Sequence, residues 1–390
     1  TGLSASGGET IESVESVRKF APRIYSSQNR AVTSNDYESL IPARIYPETE
    51  SISVFGGEDL IPPQFGKVFI SIKPRTGDFL PSLIKEKIKL KLKKYSVAGI
   101  VPEILDLKYL YLEINTKIYY NTNLAPDAAY VSTLVQNNAE KYAESSDMNK
   151  YGARFKYSKF LNIIDQSNES ITSNITTVYI RRDIRAVLNA FAEYQIGFGN
   201  AFHIKSMSGY NIKSSAFRIA GVMDDVYISD LPNTNRLNGS LFLFTLPSIE
   251  SQSPTIIRRN VGNIDYTSGV ITINPINVQS GMIKDGQTII EISACPLSND
   301  VIGLQDLYLQ LDISNSLFET VVDEIASGLD PSGSNYITSS SYANGILVRA
   351  GGRKSDITTT NTSSVPSTSG SSATTPSSFS GSTSSAGSSY

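Results

Sequence analysis

The sequence predicts an α+β fold: a helical junction, a split βαβ sandwich, a mostly-β domain and a low-complexity tail. Three observations carry this. Residues 109–120, YLYLEINTKIYY, alternate so that Leu110, Leu112, Ile114, Ile118 and Tyr120 share one side, and Tyr111, Glu113, Asn115, Lys117 and Tyr119 share the other, the pattern of a long strand with one buried face. Helical periodicity flanks that strand on both sides. Beyond about residue 185 it gives way to short β-type runs separated by Gly, Asn, Asp and Pro.

Taken in order, Ile11, Val14, Val17 and Phe20 recur at helical spacing, with acids early and Arg18 and Lys19 late, a distribution that complements the helix dipole. Pro22 is expected to stop this helix. A second helix restarts at Thr33, with Asp36 completing a capping box and Tyr37, Leu40 and Ile41 on one face. Pro42 is expected to end it. Between the two, the side chains of Asn29 and Arg30 are expected to clasp backbone carbonyls across the turn.

VFISIKP after Lys67 reads as a strand closed by Pro74. IKLKLKK alternates like a strand, yet Leu80, Leu83, Ile84, Ile88, Leu92 and Tyr95 align on one helical face and Pro81 suits an opening turn, so a helix is predicted. Its lysines at 85, 87, 89, 91, 93 and 94 then form a solvated arc. After the long strand, Asp127 caps a helix carrying Ala128, Val131, Leu134, Val135, Ala139 and Tyr142; a shorter helix near 157–165 leads into the strand TTVYIRRDI. This strand and helix order suggests a ferredoxin-like, split βαβ arrangement. LFLFTL, GVITIN, TIIEIS and LYLQLDI supply the later strands. The expected divisions are 1–42 for the junction, 43–184 for the α+β domain, 185–327 for the mostly-β domain and 328–390 for the Ser/Thr/Gly-rich tail.

The chain has 390 residues with 40% hydrophobic and 18% charged content, enough for a sizeable core. A formal net charge of -3 provides no overall field for nucleic acid or an anionic membrane. One cysteine and one histidine exclude an intrachain disulfide and any multi-Cys or multi-His metal site. No cofactor, metal site or catalytic residue is expected. His203 has no serine or cysteine motif around it, and Cys295 lacks a basic neighbour in sequence; both read as structural. Asp224 and Asp225 are adjacent, so on a strand they point apart; a turn or solvated edge is expected. Gly56 and Gly57 lack phosphate-loop spacing and suggest a tight turn. Tyr111 and Tyr119, amphipathic rings on one strand face, are the candidate interface residues, with burial within the chain as the alternative.

SSQNRAVTSNDYESLI resembles the junction of baseplate J-like proteins of contractile phage tails. VFGGEDLIPPQFGKVFISIKP, VPEILDLKYLYLEINTKIYYN and NIDYTSGVITINP, in this order, extend the resemblance to the C-terminal part of baseplate wedge proteins of T-even-like myophages, over most of residues 8–300. The resemblance implies a noncatalytic virion protein, made in the host cytoplasm. Its partners would be other copies of itself, in a dimer and a ring, and other wedge and hub proteins. It further implies that Asn29, Arg30, Thr33, Asp36 and Tyr37 belong to a joint between an upstream arm and ring-forming domains. A J-like protein of a related contractile particle is the nearest alternative. A tail-associated polysaccharide-binding protein or carboxylate glycosidase is the other. The latter needs acids about 5 to 9.5 Å apart, which no spacing here announces.

Overall fold

The computed structural model describes residues 14–329, except 61–62, 78, 126, 146, 149, 247–253, 285 and 305, together with 342–343 and 346–347. The described residues up to 329 belong to one unit and those from 342 to 347 to another. In the latter, Tyr342–Ala343 pairs antiparallel with Ile346–Leu347. Most of the expected tail, and Ile11 of the first helix, lie outside the described residues.

Helix α1, Val14–Ser27, runs through Pro22 instead of stopping there. Pro22 is exposed, so the hydrogen bond that its missing N–H forgoes leaves a carbonyl facing solvent. The stop comes later. Gln28 and Asn29 adopt left-handed conformations, φ 48° and 60°, and the Arg30 N–H returns to the Ser27 carbonyl at 2.9 Å, a left-handed turn of the kind that commonly ends helices. Helix α2, Ser34–Leu40, continues past Pro42 as a π-turn over Ile41–Ile45. The wider turn, closed by Tyr46 N–H to Ile41 O at 2.8 Å, accommodates a residue with no N–H to donate.

Next come β1 (Thr49–Gly56), β2 (Lys67–Pro74), α3 (Ser82–Leu92) and β3 (Val101–Leu105). β1 pairs antiparallel and β3 parallel with β2, with α3 as the crossover. Tyr37, Leu40, Ile41, Ile70, Ile72, Ile88 and Leu92 fill a core of their own. Leu83, expected in that core, is 68% exposed, because it stands off the stripe of Ile84, Ile88 and Leu92, on the same flank as Leu90, 60% exposed.

β4 (Lys108–Tyr120), α4 (Ala128–Ala143), β5 (Arg154–Phe155), α5 (Tyr157–Asp165) and β6 (Ile171–Arg185) follow, with Asp127 Oδ1 accepting the Ala129 N–H at 2.9 Å as the cap of α4. β4 and β6 lie antiparallel from Tyr111–Arg181 to Tyr120–Ile171. Thereafter the chain is β throughout: β7 (Ala192–Gly197), β8 (Lys213–Ser214), β9 (Arg218–Ile219), β10 (Val226–Pro232), β11 (Asn238–Thr245), β12 (Thr255–Asp265), β13 (Val270–Ile276), β14 (Val278–Ser280), β15 (Met282–Lys284), β16 (Gln287–Ala294), β17 (Val301–Ile302), β18 (Leu307–Leu311) and β19 (Leu317–Val322). A five-stranded sheet runs β10-β11-β12-β13-β7, and the main sheet runs β15-β16-β6-β4-β18, with β19 also on β4 and β8 on β16.

The architecture is α+β, but a single βαβ sandwich is not what forms. β2 and β4 belong to different sheets, and strands on either side of residue 184 share the main one, since β16 pairs with β6 and β18 and β19 pair parallel with β4. The large core therefore joins Leu110, Ile114, Val131, Phe160, Val178, Ile292 and Leu309. Pairing between residues so distant in sequence is set by which apolar faces meet, and periodicity carries no record of it.

The NIDYTSGVITINP stretch is the β12–β13 hairpin. Asp265 Oδ1 accepts from Thr267 Oγ1 at 2.6 Å, Oδ2 from Ser268 Oγ at 2.7 Å and Oδ1 again from Thr267 N at 2.9 Å, which together hold the carboxyl down at about 2. Gly269 closes the turn at φ 66°, where a Cβ would lie 2.1 Å from the Asn200 carbonyl oxygen. Gly269→Ala should therefore destabilise by more than about 1 kcal/mol, read as a lowered urea midpoint at unchanged slope.

Candidate functional site: the junction and the buried charge cluster

The capping box forms as the spacing predicts. Asp36 Oδ2 accepts from Thr33 N at 2.9 Å and Val32 N at 3.1 Å, and Thr33 Oγ1 accepts from Asp36 N at 3.4 Å. Tyr37 is fully buried with its hydroxyl 3.4 Å from Ser96 Oγ, and Ala31 N donates to Tyr95 O at 2.9 Å. Arg23 and Glu38, 3.3 Å apart, link α1 to α2. The junction thus rests on the loop after α3. Asn29 acts through its backbone alone; its side chain and that of Arg30 are exposed and make no hydrogen bond among the described residues. The expected carbonyl clasp is absent because the left-handed pair already turns the chain.

The other face of β4 holds a group that sequence reasoning missed. Arg181 on β6, with its side chain only 4% exposed, meets Glu113 at 2.7 Å, Asp312 at 2.9 Å, Asp183 at 3.2 Å and Glu291 at 3.6 Å. Its guanidinium also lies over the Tyr111 ring, 4.6 Å from the centroid, and Lys284 Nζ sits 4.7 Å from the same centroid and 3.1 Å from Asp183. Tyr111 is buried beneath these cations and stacked on Tyr109. Its ring is committed within the chain, which corrects its reading as an interface residue. Tyr119 is half-buried.

Burial opposes the Arg181 charge, but the four carboxylates together outweigh it and raise its pKa. Burial also raises Glu113 and Glu291 above the ordinary carboxylate range, against the pull of Arg181. Asp312 is opposed by burial too, yet hydrogen bonds from Ser314 and Asn315 hold it low. Each of the four carboxylates lies within ion-pair distance of the guanidinium. The cluster's trace in the sequence was the adjacent Arg181 and Arg182 inside a strand, TTVYIRRDI, to which periodicity assigned no partner.

The small α/β unit is fastened to the main sheet by polar and aromatic contacts. Ser71 Oγ lies 2.7 Å from the Tyr151 hydroxyl, Ser51 Oγ accepts from Tyr151 N at 3.1 Å, and Lys73 Nζ donates to the Tyr109 hydroxyl at 3.0 Å. Tyr308 packs edge-on against both Tyr109 and Tyr151. Burial pushes the Tyr151 and Tyr308 phenols well up.

The remaining candidates fall apart spatially. His203 is exposed, its backbone N–H donating to Cys295 O at 2.8 Å. Cys295 is half-buried, and desolvation raises its thiol, with Lys205 opposing. Asp224 and Asp225 lie in an exposed turn, Asp225 paired with Arg218 at 2.8 Å. No group of three or more His, Cys, Asp or Glu is placed to hold a metal among the described residues, and none of their helices is long and apolar enough to cross a membrane.

Residues 33–105 match the family described as baseplate structural protein gp6, C-terminal domain I, and residues 108–183 match baseplate structural protein gp6, C-terminal domain III. The boundary falls between β3 and β4, where the small core gives way to the large one. The baseplate wedge protein gp6 of Enterobacteria phage T4 is 27% identical over 206 residues, 53% of this chain. The chain spans 30% of that relative's length. A chain in the cryo-EM structure of the anti-feeding prophage (AFP) baseplate, 6-fold symmetrised, aligns with TM-score 0.33 and 18% identity over 44% of this chain and 39% of that one, too slight a likeness to argue from. The chain is thus similar to baseplate structural proteins, as its motifs suggested.

Two results should follow from these geometries. Arg181→Met strands several buried carboxylates and should cost about 3–5 kcal/mol at neutral pH. Because Glu113 and Glu291 already have raised values, they take up protons first on acidification, so the penalty should shrink as pH falls; denaturant titrations at two pH values read this. At the junction, Asp36→Ala should cost about 1 kcal/mol, whereas Arg30→Ala should change stability by less than about 0.5 kcal/mol, both by thermal melts.

Proposed function

We propose that this chain is a structural protein of a contractile phage tail baseplate wedge, acting in the virion by self-association and by contact with other wedge and hub proteins to close a ring around the hub. The observation that carries this reading is the ordered match of two adjacent segments to two C-terminal domains of a baseplate structural protein, supported by the similarity to the T4 wedge protein.

The physical design suits transmitted orientation. The junction around Asn29 and Thr33 fixes how α1 leaves the folded body, as expected of a joint between an arm and ring-forming domains. The Ser71–Tyr151 and Lys73–Tyr109 contacts fix the small unit against the main sheet, and directional bonds of this kind resist sliding in a way that apolar contact alone does not. Tyr119, half-buried at the far end of β4, remains the interface residue in this reading. The assembly needs no cofactor and no bond-making step.

Mixing the full chain with the other wedge proteins should give species larger than the monomer by sedimentation, and ring or wedge particles by electron microscopy. A chain that stays monomeric, enters no wedge and cleaves a polysaccharide would overturn the proposal.

A further inference from the structure

A cleft of about 560 Å³ opens where β4 and β6 part company. Their ladder begins at Tyr111–Arg181; from Arg182 to Arg185, β6 keeps β16 on one side and, among the described residues, has no paired strand on the other. An unpaired strand edge inside a cleft is a ready template for an extended peptide.

The cleft is also cationic. Lys85, Lys108, Arg182, Arg185 and Lys284 line it against Asp106 and Asp183. Four of these five cations are answered: Lys85 by Asp106, Arg185 by Asp106 at 3.9 Å, Lys284 by Asp183 at 3.1 Å and Lys108 by Asp306 at 3.3 Å. Arg182 is not. Its Nη1 donates to the Gly197 carbonyl, its Nε is buried with no hydrogen-bond partner, and it forms no ion pair among the described residues. Burial lowers its pKa, with Asp306 and Asp183 acting only at longer range. A desolvated guanidinium without a bonded anion is costly, and it marks the place where an anion from outside brings the most.

The walls distinguish the kind of anion. Leu80, Tyr109, Ile184, Ile196 and Ile289 surround the charges, so the occupant presents apolar side chains beside its carboxylate. A free phosphate has no such surface. A nucleic acid meets mostly cations that are already paired, on a chain of net charge -3.

We propose that this cleft binds an extended acidic peptide segment of a partner protein, one carboxylate on Arg182, flanking aliphatic side chains on the walls, and main-chain hydrogen bonds to the open edge of β6. The inference deepens the assembly reading and rests on it for the partner being a protein. Its test is separate from ring formation, so either can fail alone.

The probe is an end-blocked, labelled peptide GETIESVES, residues 8–16 of this chain, which interleaves three glutamates with Ile and Val and carries no cation. Titrated against the full chain, it should bind saturably. Binding should weaken at least about tenfold on Arg182→Gln, on changing the peptide's glutamates to glutamine, and on N-methylating alternate peptide bonds. Should Arg182→Gln fail to fold, Arg185→Gln on the rim should still weaken binding, and the two peptide variants report on the unaltered chain. Absence of saturable binding, indifference to the glutamine or N-methyl changes, or displacement by inorganic phosphate at matched ionic strength would each overturn the proposal, the last by showing a simple anion site.

Discussion

The antiparallel ladder between Lys108–Tyr120 and Ile171–Arg185 is the constraint on which the rest of the molecule depends. Its even-numbered β4 residues, from Leu110 to Tyr120, close over α4 and α5, and strands drawn from the far end of the chain extend it on both edges. Because the side-chain repeat of a strand is two, a one-residue slip would drive Glu113 and Lys117 into that core. Buried Thr116 and Thr176 add a register mark of their own, with hydroxyls 2.7 Å apart across the pair.

The opposite face of the same ladder explains the Arg181 cluster. Arg181 stands directly across from Tyr111, so the strand register that buries the apolar face also brings the guanidinium over the ring and among carboxylates from β4, β6, β16 and the turn after β18. Charged residues gathered from such separate parts of the chain are satisfied only when all the strands are in place. A cluster of this kind adds little net stability over apolar packing, but it penalises every arrangement that leaves one of its members alone. For a protein whose proposed work is to hold surfaces at fixed angles, that selectivity is the useful property.

A comparable logic governs the five-stranded sheet. Asp230 is fully buried, yet it accepts hydrogen bonds from Asn211 N and Nδ2 at 2.8 Å, Ile212 N at 2.7 Å and the Tyr266 hydroxyl at 2.5 Å. One carboxylate thereby ties the loop before β8 to the β12–β13 hairpin, and its donors leave no lone pair stranded. The phenol of Tyr266 is in turn pushed well up by burial and by that carboxylate.

Local features were legible in the sequence because they depend on neighbours in the chain. The capping box of Thr33 and Asp36, the cap at Asp127, the alternation of 109–120 and the opening turn at Pro81 each form as their spacing requires. The two prolines misled, since a proline marks only a missing donor, and surroundings decide whether a helix stops, passes through as at Pro22, or widens as at Pro42. What tertiary structure alone decided is which strands share a sheet, that Tyr111 is roofed by Arg181 and Lys284, and that Arg182 faces a cleft without a bonded carboxylate. These follow from contacts between different elements, and periodicity, which registers only the repeat within one element, contains no term for them.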